Sequence, residues 1–216
     1  MDKDFEKLRQ QMVEEQLLSR DIEDQAVIEA FKKVAREKFM LEKNRDYAYQ
    51  DGAQSIEAGQ TISQPYIVAL MLQSLNLEEE DRVLEVGTGS GYAAALLAEI
   101  VKEVYTIERI EQLAVQARKV LKALNYRNVE VKIGDGSLGW EEKAPYDAIL
   151  VSAAAPYVPD NLIEQLAKKG RLVIPVGKRN RIQQLKLITK NKRGKIKEES
   201  LEYVRFVPLL GEDSWR

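Results

Sequence analysis

Apolar residues recur at three- and four-residue steps near the start of the chain: Phe5, Leu8, Met12 and Val13, then Ile22, Val27, Ile28 and Phe31. That period gives a helix one face toward a core, so it predicts two N-terminal helices, the second capped by Asp21. Between residues 44 and 60 no period is sustained and Gly52 and Gly59 interrupt a polar run, which predicts a loop. Helical spacing resumes at Ser63 or Gln64 and carries through Val68, Leu72 and Leu75, with Pro65 in the first turn.

From Arg82 onward short β-rich runs alternate with helical stretches. Strands are predicted at 82–86, 103–107, 129–133, 147–151 and 171–176, and helices near 91–100, 110–124 and 159–168. Such alternation is the mark of βαβ units around a parallel sheet covered on both faces. After Gly177 the helices stop, and 184–189, the turn KNKRGK and 201–207 read as a closing antiparallel hairpin. The expected fold class is therefore α/β: a doubly wound, mostly parallel seven-stranded sheet with an antiparallel end and an N-terminal helical layer. One domain is expected over 1–216, made of helices and a loop (1–80), a core (81–177) and the hairpin (178–216).

Composition narrows the chemistry more than the fold. With 44% hydrophobic residues in 216 the chain can bury a sizeable core. It has no Cys and no His, which excludes disulfides, thiolate nucleophiles, histidine bases and Ser-His-Asp hydrolysis. Lys and Arg total 33 against 35 Asp and Glu, so the net charge of −2 gives no general attraction to nucleic acid. The segment MDKDFEKLRQQ lacks an apolar h-region, and no apolar run approaches the roughly 18 residues that span a bilayer. A soluble cytoplasmic protein without membrane or nucleic-acid partners, and a monomer, is the expectation.

The stretch VLEVGTGSGY (83–92) runs a strand into Gly87, Gly89 and Gly91 and then a helix. Closely spaced glycines there permit a tight turn and close approach of a ligand to the backbone. The dinucleotide fingerprint G-x-G-x-x-G fails, because position 92 is Tyr. Glu85, two residues before the first Gly, would repel a pyrophosphate and attract a ligand with an ammonium and a sulfonium, such as S-adenosylmethionine. Glu108 ends the next strand, where a carboxylate can accept ribose hydroxyls. Asp135-Gly136 ends the third and would reach the adenine side. Three acids at the ends of successive strands line one crevice, a more specific sign than any acid alone.

GQTISQPY, VLEVGTGSGY, GDGSLGW, APYDAILVSAAA, IPVG and VRFVPL occur in this order. Over nearly its whole length the chain resembles the protein-L-isoaspartate O-methyltransferases. GQTISQP marks that family, and GTGSG only the wider class I S-adenosylmethionine-dependent methyltransferases with their Rossmann-like fold. The resemblance implies methylation of the free α-carboxylate of L-isoaspartyl residues in damaged proteins and peptides, with S-adenosyl-L-methionine as the donor. It implies Ser63 as the catalytic residue, Thr61 and Ile62 as shapers of the donor and acceptor pocket, and Val207 and Pro208 on the substrate side. Where relatives tend to carry a Pro-Leu-Pro-Ile-like run, this chain reads Gly52-Ala53-Gln54-Ser55-Ile56, which predicts a looser loop.

The residues alone leave alternatives open. Ser63 could be only a helix cap, and Phe206, Val207 and Leu209 only a buried edge strand. KRNR (178–181) and KNKRGK (190–195) could touch RNA phosphates, although the position after the fourth strand reads SAAAPYVP, without the paired prolines of base-amino methylases. A methyltransferase of this fold acting on RNA or a small molecule, and a non-catalytic binding module, are the competing readings.

Overall fold

The computed structural model describes residues 4–216, so the first three residues of the charged N-terminal segment lie outside the described part. Helix α1 (Phe5–Met12) is capped by Asp4 and continues into a π turn, Val13–Leu17. Helix α2 (Gln25–Lys33) buries Val27, Ile28 and Phe31, which its period selected, together with Ala30. Its cap is not Asp21 but Asp24, whose carboxylate accepts from the Val27 N–H at 3.1 Å. Asp21 instead turns the chain in the left-handed region, φ 62°, a conformation its short polar side chain tolerates.

The stretch read as a loop folds on itself. Strand β1 (Gln54–Ser55) pairs antiparallel with β2 (Thr61–Ile62), and the Asn44 amide holds the Ser55 carbonyl at 3.1 Å. The run expected to be loose is thus a hairpin that leads straight into α3 (Pro65–Ser74).

Beyond it come β3 (Arg82–Val86), α4 (Tyr92–Ala98), β4 (Glu103–Glu108), α5 (Glu111–Ala123), β5 (Val129–Ile133) and β6 (Tyr146–Val151). Then follow α6 (Asp160–Gln165), β7 (Leu166–Val176), β8 (Gln183–Lys190) and β9 (Ile196–Val204). Strands β3 to β9 form one sheet in the order β5-β4-β3-β6-β7-β8-β9, parallel up to β7 and antiparallel beyond.

Strand alternation sends Val83, Val104, Leu150 and Val173 into one apolar cluster with the helical layer α2 to α4. Leu84, Val86, Ile107, Ile149 and Leu172 enter the other, with Leu162 of α6. Each such side chain contributes about 1.5–3 kcal/mol by leaving water. The order reverses between β3, β4 and β6, where α/β sheets open a crevice at the carboxyl ends of their strands.

The second hairpin strand was expected at 201–207 and instead spans Ile196–Val204. Phe206 and Val207 therefore do not form an edge strand. Past Val204 the chain crosses back toward the crevice, where Val207 accepts from the Ala154 N–H at 2.8 Å and Leu209 donates to the Ala154 carbonyl at 2.7 Å.

Candidate active site

Strand β3 carries the chain up through the buried centre of the sheet, and at its end Gly87, Gly89 and Gly91 take φ of 94°, 52° and 88°. Side chains strain in that region, so these glycines let the backbone double over and open α4. Gly91 is also crowded, since a Cβ there would lie 3.3 Å from Ala117. The chain thus shows its bare backbone to the space above the sheet.

Two acids flank this turn in different surroundings. Glu85 is 1% exposed and its Oε2 accepts from the Thr106 hydroxyl at 2.6 Å. The Thr106 and Thr88 hydroxyls are also 2.6 Å apart, joining the acid to the glycine loop. Burial, eased by the Thr106 hydrogen bond and reinforced by the nearby Glu108 charge, pushes the Glu85 carboxyl up to about 8. Glu108 is held by both oxygens: Oε2 accepts from the Gly89 N–H at 2.9 Å and Oε1 from the Ile110 N–H at 2.9 Å. Each oxygen keeps a lone pair for a further donor.

The cleft above these groups has a volume of about 240 Å³. Its walls include Thr61, Ile62, Ser63, Glu85, Gly87, Gly89, Glu108, Gly136, Val207 and Pro208, so residues far apart in sequence meet as expected. Asp135 and Gly91 are not on that wall. Asp135 Oδ1 accepts from the Ser137 N–H and hydroxyl at 2.9 and 2.7 Å, and Oδ2 from the Glu212 N–H at 2.7 Å. Its carboxylate thus anchors the C-terminal segment, beside an adjoining hollow with Arg109 and Trp215. Gly91 faces Ala117 and Leu121 of α5 instead.

A second hollow adjoins the first, lined by Ala53, Gln64, Ile182, Arg205 and Phe206 among others. Thr61, Ser63, Ser152 and Val207 belong to both. Ser63 does not cap α3: the helix begins after Gln64, without a side-chain cap bond. Ser152, Arg109 and Tyr92 are wall residues that sequence reasoning missed. Ser152 could have been found, because it comes just past the end of β6, the strand beside β3, whose own end carries Glu85.

The description "Protein-L-isoaspartate(D-aspartate) O-methyltransferase (PCMT)" belongs to a family model that matches residues 7–214. The chain belongs to this family. Among its relatives, Protein-L-isoaspartate O-methyltransferase 2 of Pelobacter propionicus is 53% identical over 207 residues, covering 96% of this chain and 92% of that one. The Petrotoga mobilis Protein-L-isoaspartate O-methyltransferase is 52% identical over 213 residues, covering 98% and 100%. A solved Plasmodium falciparum protein-L-isoaspartate O-methyltransferase, in complex with S-adenosyl-L-homocysteine, has a TM-score of 0.81 at 29% identity, covering 97% and 99%. The seven-stranded class I methyltransferase fold and dependence on S-adenosylmethionine stand with that membership.

The residues present fit the family's donor. Gly136 leaves no room for a side chain, since a Cβ would meet Val86 Cγ1 at 2.5 Å, so the cleft floor there is bare backbone. Glu85 and Glu108 set two carboxyl groups on the same cleft, and a cationic ligand there would favour the ionised form of Glu85, so the pair suits such a ligand.

Proposed function

We propose that this protein-L-isoaspartate methyltransferase uses Thr61, Ser63, Ser152 and Val207 as the place where donor and acceptor meet. One observation carries this assignment: those four residues line both hollows, one flanked by Glu85 and Glu108, the other by the cation Arg205 and no acid. The acid-lined hollow is the donor side. The other receives the free α-carboxylate of an L-isoaspartyl residue in a damaged protein or peptide.

When bound, S-adenosylmethionine supplies an electrophilic methyl group on a sulfonium. An acceptor carboxylate with a pKa near 4 is already ionised at neutral pH, so the chain needs no general base, in keeping with its lack of His and Cys. Its task is alignment and drying. Glu108 would hold the ribose hydroxyls with its free lone pairs, while Glu85, whose carboxyl burial keeps up at about 8, would give up its proton under the glycine turn as the cationic donor binds. Gly87, Gly89 and Gly136 let the ligand lie against backbone. The Ser63 hydroxyl, with Thr61 and Ser152 beside it, orients the acceptor as a neutral donor. Ile62, Val68 and Leu209 exclude water, which strengthens each of these interactions. Val207 and Pro208 shape the peptide side, where extended backbone could be held with little sequence preference. Asp135 contributes through the segment it anchors.

With this reading go a cytoplasmic monomer and no nucleic-acid partner, the latter supported by the net charge of −2. Among the described residues no helix is long and apolar enough to cross a membrane. The test is methyl transfer from labelled donor to an isoaspartyl peptide against the same peptide with ordinary Asp. Labelling of the isoaspartyl form alone is expected. Equal labelling of both, or labelling of RNA instead, would overturn the reading.

A further inference from the structure

Arg36 lies in a 3-10 turn, Arg36–Phe39, and is 0% exposed. Its Nε donates to the Ala48 carbonyl at 2.8 Å and its Nη2 to the Ser63 carbonyl at 2.8 Å. The guanidinium carbon sits 4.8 Å from the centre of the Tyr92 ring, and Tyr92 is a wall of the donor cleft. Among the described residues Arg36 makes no ion pair, and both its Nη1 and the Tyr92 hydroxyl are buried without a hydrogen-bond partner. Burial pulls the guanidinium below its ordinary pKa. A buried cation without an ion pair is costly even with two carbonyl acceptors and an aromatic face beside it, and stitching two carbonyls together would not by itself require one.

The neighbouring contacts sharpen this point, because the same loop is already fastened without Arg36. Glu37 faces another way and accepts from the Tyr49 hydroxyl at 2.5 Å, while the Gln16 amide holds the Tyr49 carbonyl at 2.8 Å. What Arg36 adds is a hold on Ser63 itself. Ser63 stands between the two-residue strand β2 and the Gln64 cap of α3, with no capping bond of its own hydroxyl to fix it.

We propose that Arg36 is a positioning residue for methyl transfer, fixing the Ser63 backbone and the Tyr92 ring from behind the cleft. The proposal rests on the function assigned above. Arg36 acts through Ser63 and Tyr92 and does not line the cleft.

The test compares Arg36→Met and Arg36→Lys with Tyr49→Phe, which cuts the loop's link to Glu37 and leaves Ser63 untouched. Turnover of an isoaspartyl peptide, S-adenosylhomocysteine affinity and amide hydrogen exchange are measured on each full-length protein. In Arg36→Met, kcat is expected to fall about 30-fold or more with the Kd for S-adenosylhomocysteine changed less than about threefold, because a small misplacement is felt in the reaction more than in binding. Exchange across 61–64 should rise at least about tenfold while that of 82–86 stays unchanged, the sign of a local opening. Arg36→Lys, which keeps the charge but not the two-pronged grip, should lose roughly three- to tenfold in kcat. Tyr49→Phe should lower Tm and hold kcat within about threefold.

Unchanged kcat and exchange in Arg36→Met would overturn the proposal. So would an equal loss of kcat in Tyr49→Phe, which would make Arg36 a structural stitch. Should Arg36→Met fail to fold, unaltered kcat and exchange in Arg36→Lys would overturn it just as well. Should the wild type label no isoaspartyl peptide, the substrate assignment fails on its own, and the exchange at 61–64 still decides whether Arg36 holds Ser63.

Discussion

The Gly89 backbone N–H points at the Glu108 carboxylate from 2.9 Å, tying the glycine turn to the end of the neighbouring strand. With Ile110 holding the other oxygen, the carboxylate is aimed before any ligand arrives. Glu108→Ala should therefore lose both the ligand contact and the turn's anchor. Charge-assisted hydrogen bonds contribute about 1.5–3 kcal/mol, so S-adenosylhomocysteine should bind roughly 10- to 100-fold more weakly. Calorimetric titration checks this, and an unaltered Kd would mean that the ribose hydroxyls are held elsewhere.

Ser63→Ala separates chemistry from capping. Since the hydroxyl makes no cap bond, stability should change by less than about 0.5 kcal/mol in urea denaturation. Turnover should fall roughly 10- to 100-fold, the scale of losing one oriented donor, while donor affinity stays within about threefold. Normal turnover would leave Ser63 as wall material only.

Glu85 makes a pH prediction with a definite sign. Its folded pKa, about 8, lies above the value of an unfolded glutamate, so the folded protein holds a proton that the unfolded chain has released between those values. Glu85's contribution is most favourable below the unfolded pKa and is lost as pH rises toward 8. The loss is on the order of 4 kcal/mol at one pKa unit per 1.36 kcal/mol. Glu85→Gln should flatten this fall when denaturation midpoints are followed from pH 5 to 8.5. In the wild type, affinity for the cationic donor should rise over the same interval, since ionised Glu85 attracts it. A pH-independent affinity would place Glu85 away from the donor's charge.

Arg171 tests the frame behind the site. Its guanidinium pairs with Asp81 at 2.6 Å and donates to the Leu75 and Asn76 carbonyls at 2.6 and 2.8 Å, joining β7 to the end of α3. Arg171→Met leaves Asp81 nearly buried without its partner and should cost about 3 kcal/mol in urea denaturation. A loss below 1 kcal/mol would show that solvent compensates Asp81. Turnover of the folded fraction should be unchanged.

Much of this architecture was legible along the chain because local signals and tertiary needs agreed. Strand β3 was placed to the residue, since both its faces are buried and its end is punctuated by glycine. Glu85 and Glu108 were legible for the same reason, as acids at strand ends beside that turn. Strand β9 was misplaced because its side chains are mostly exposed, so no alternation marks it, and its backbone pairing with β8 alone defines it. Asp135 was expected in the crevice, but its carboxylate is taken by Ser137 and Glu212, and the latter contact, 77 residues away, has no local signature. Arg36 was missed on the same ground: the run REKF looks like a solvated turn, and only the folded chain sets Ser63 against it.

Strand β9 has one more consequence. Among the described residues one side of its backbone has no partner strand, and it carries Lys197, Glu198, Glu199 and Glu202 along that rim. A second strand laid there would have to bring its own charges into register with these. A protein that works among damaged, partly opened chains is offered many loose strands, and this guarded rim discourages them from adding to its sheet.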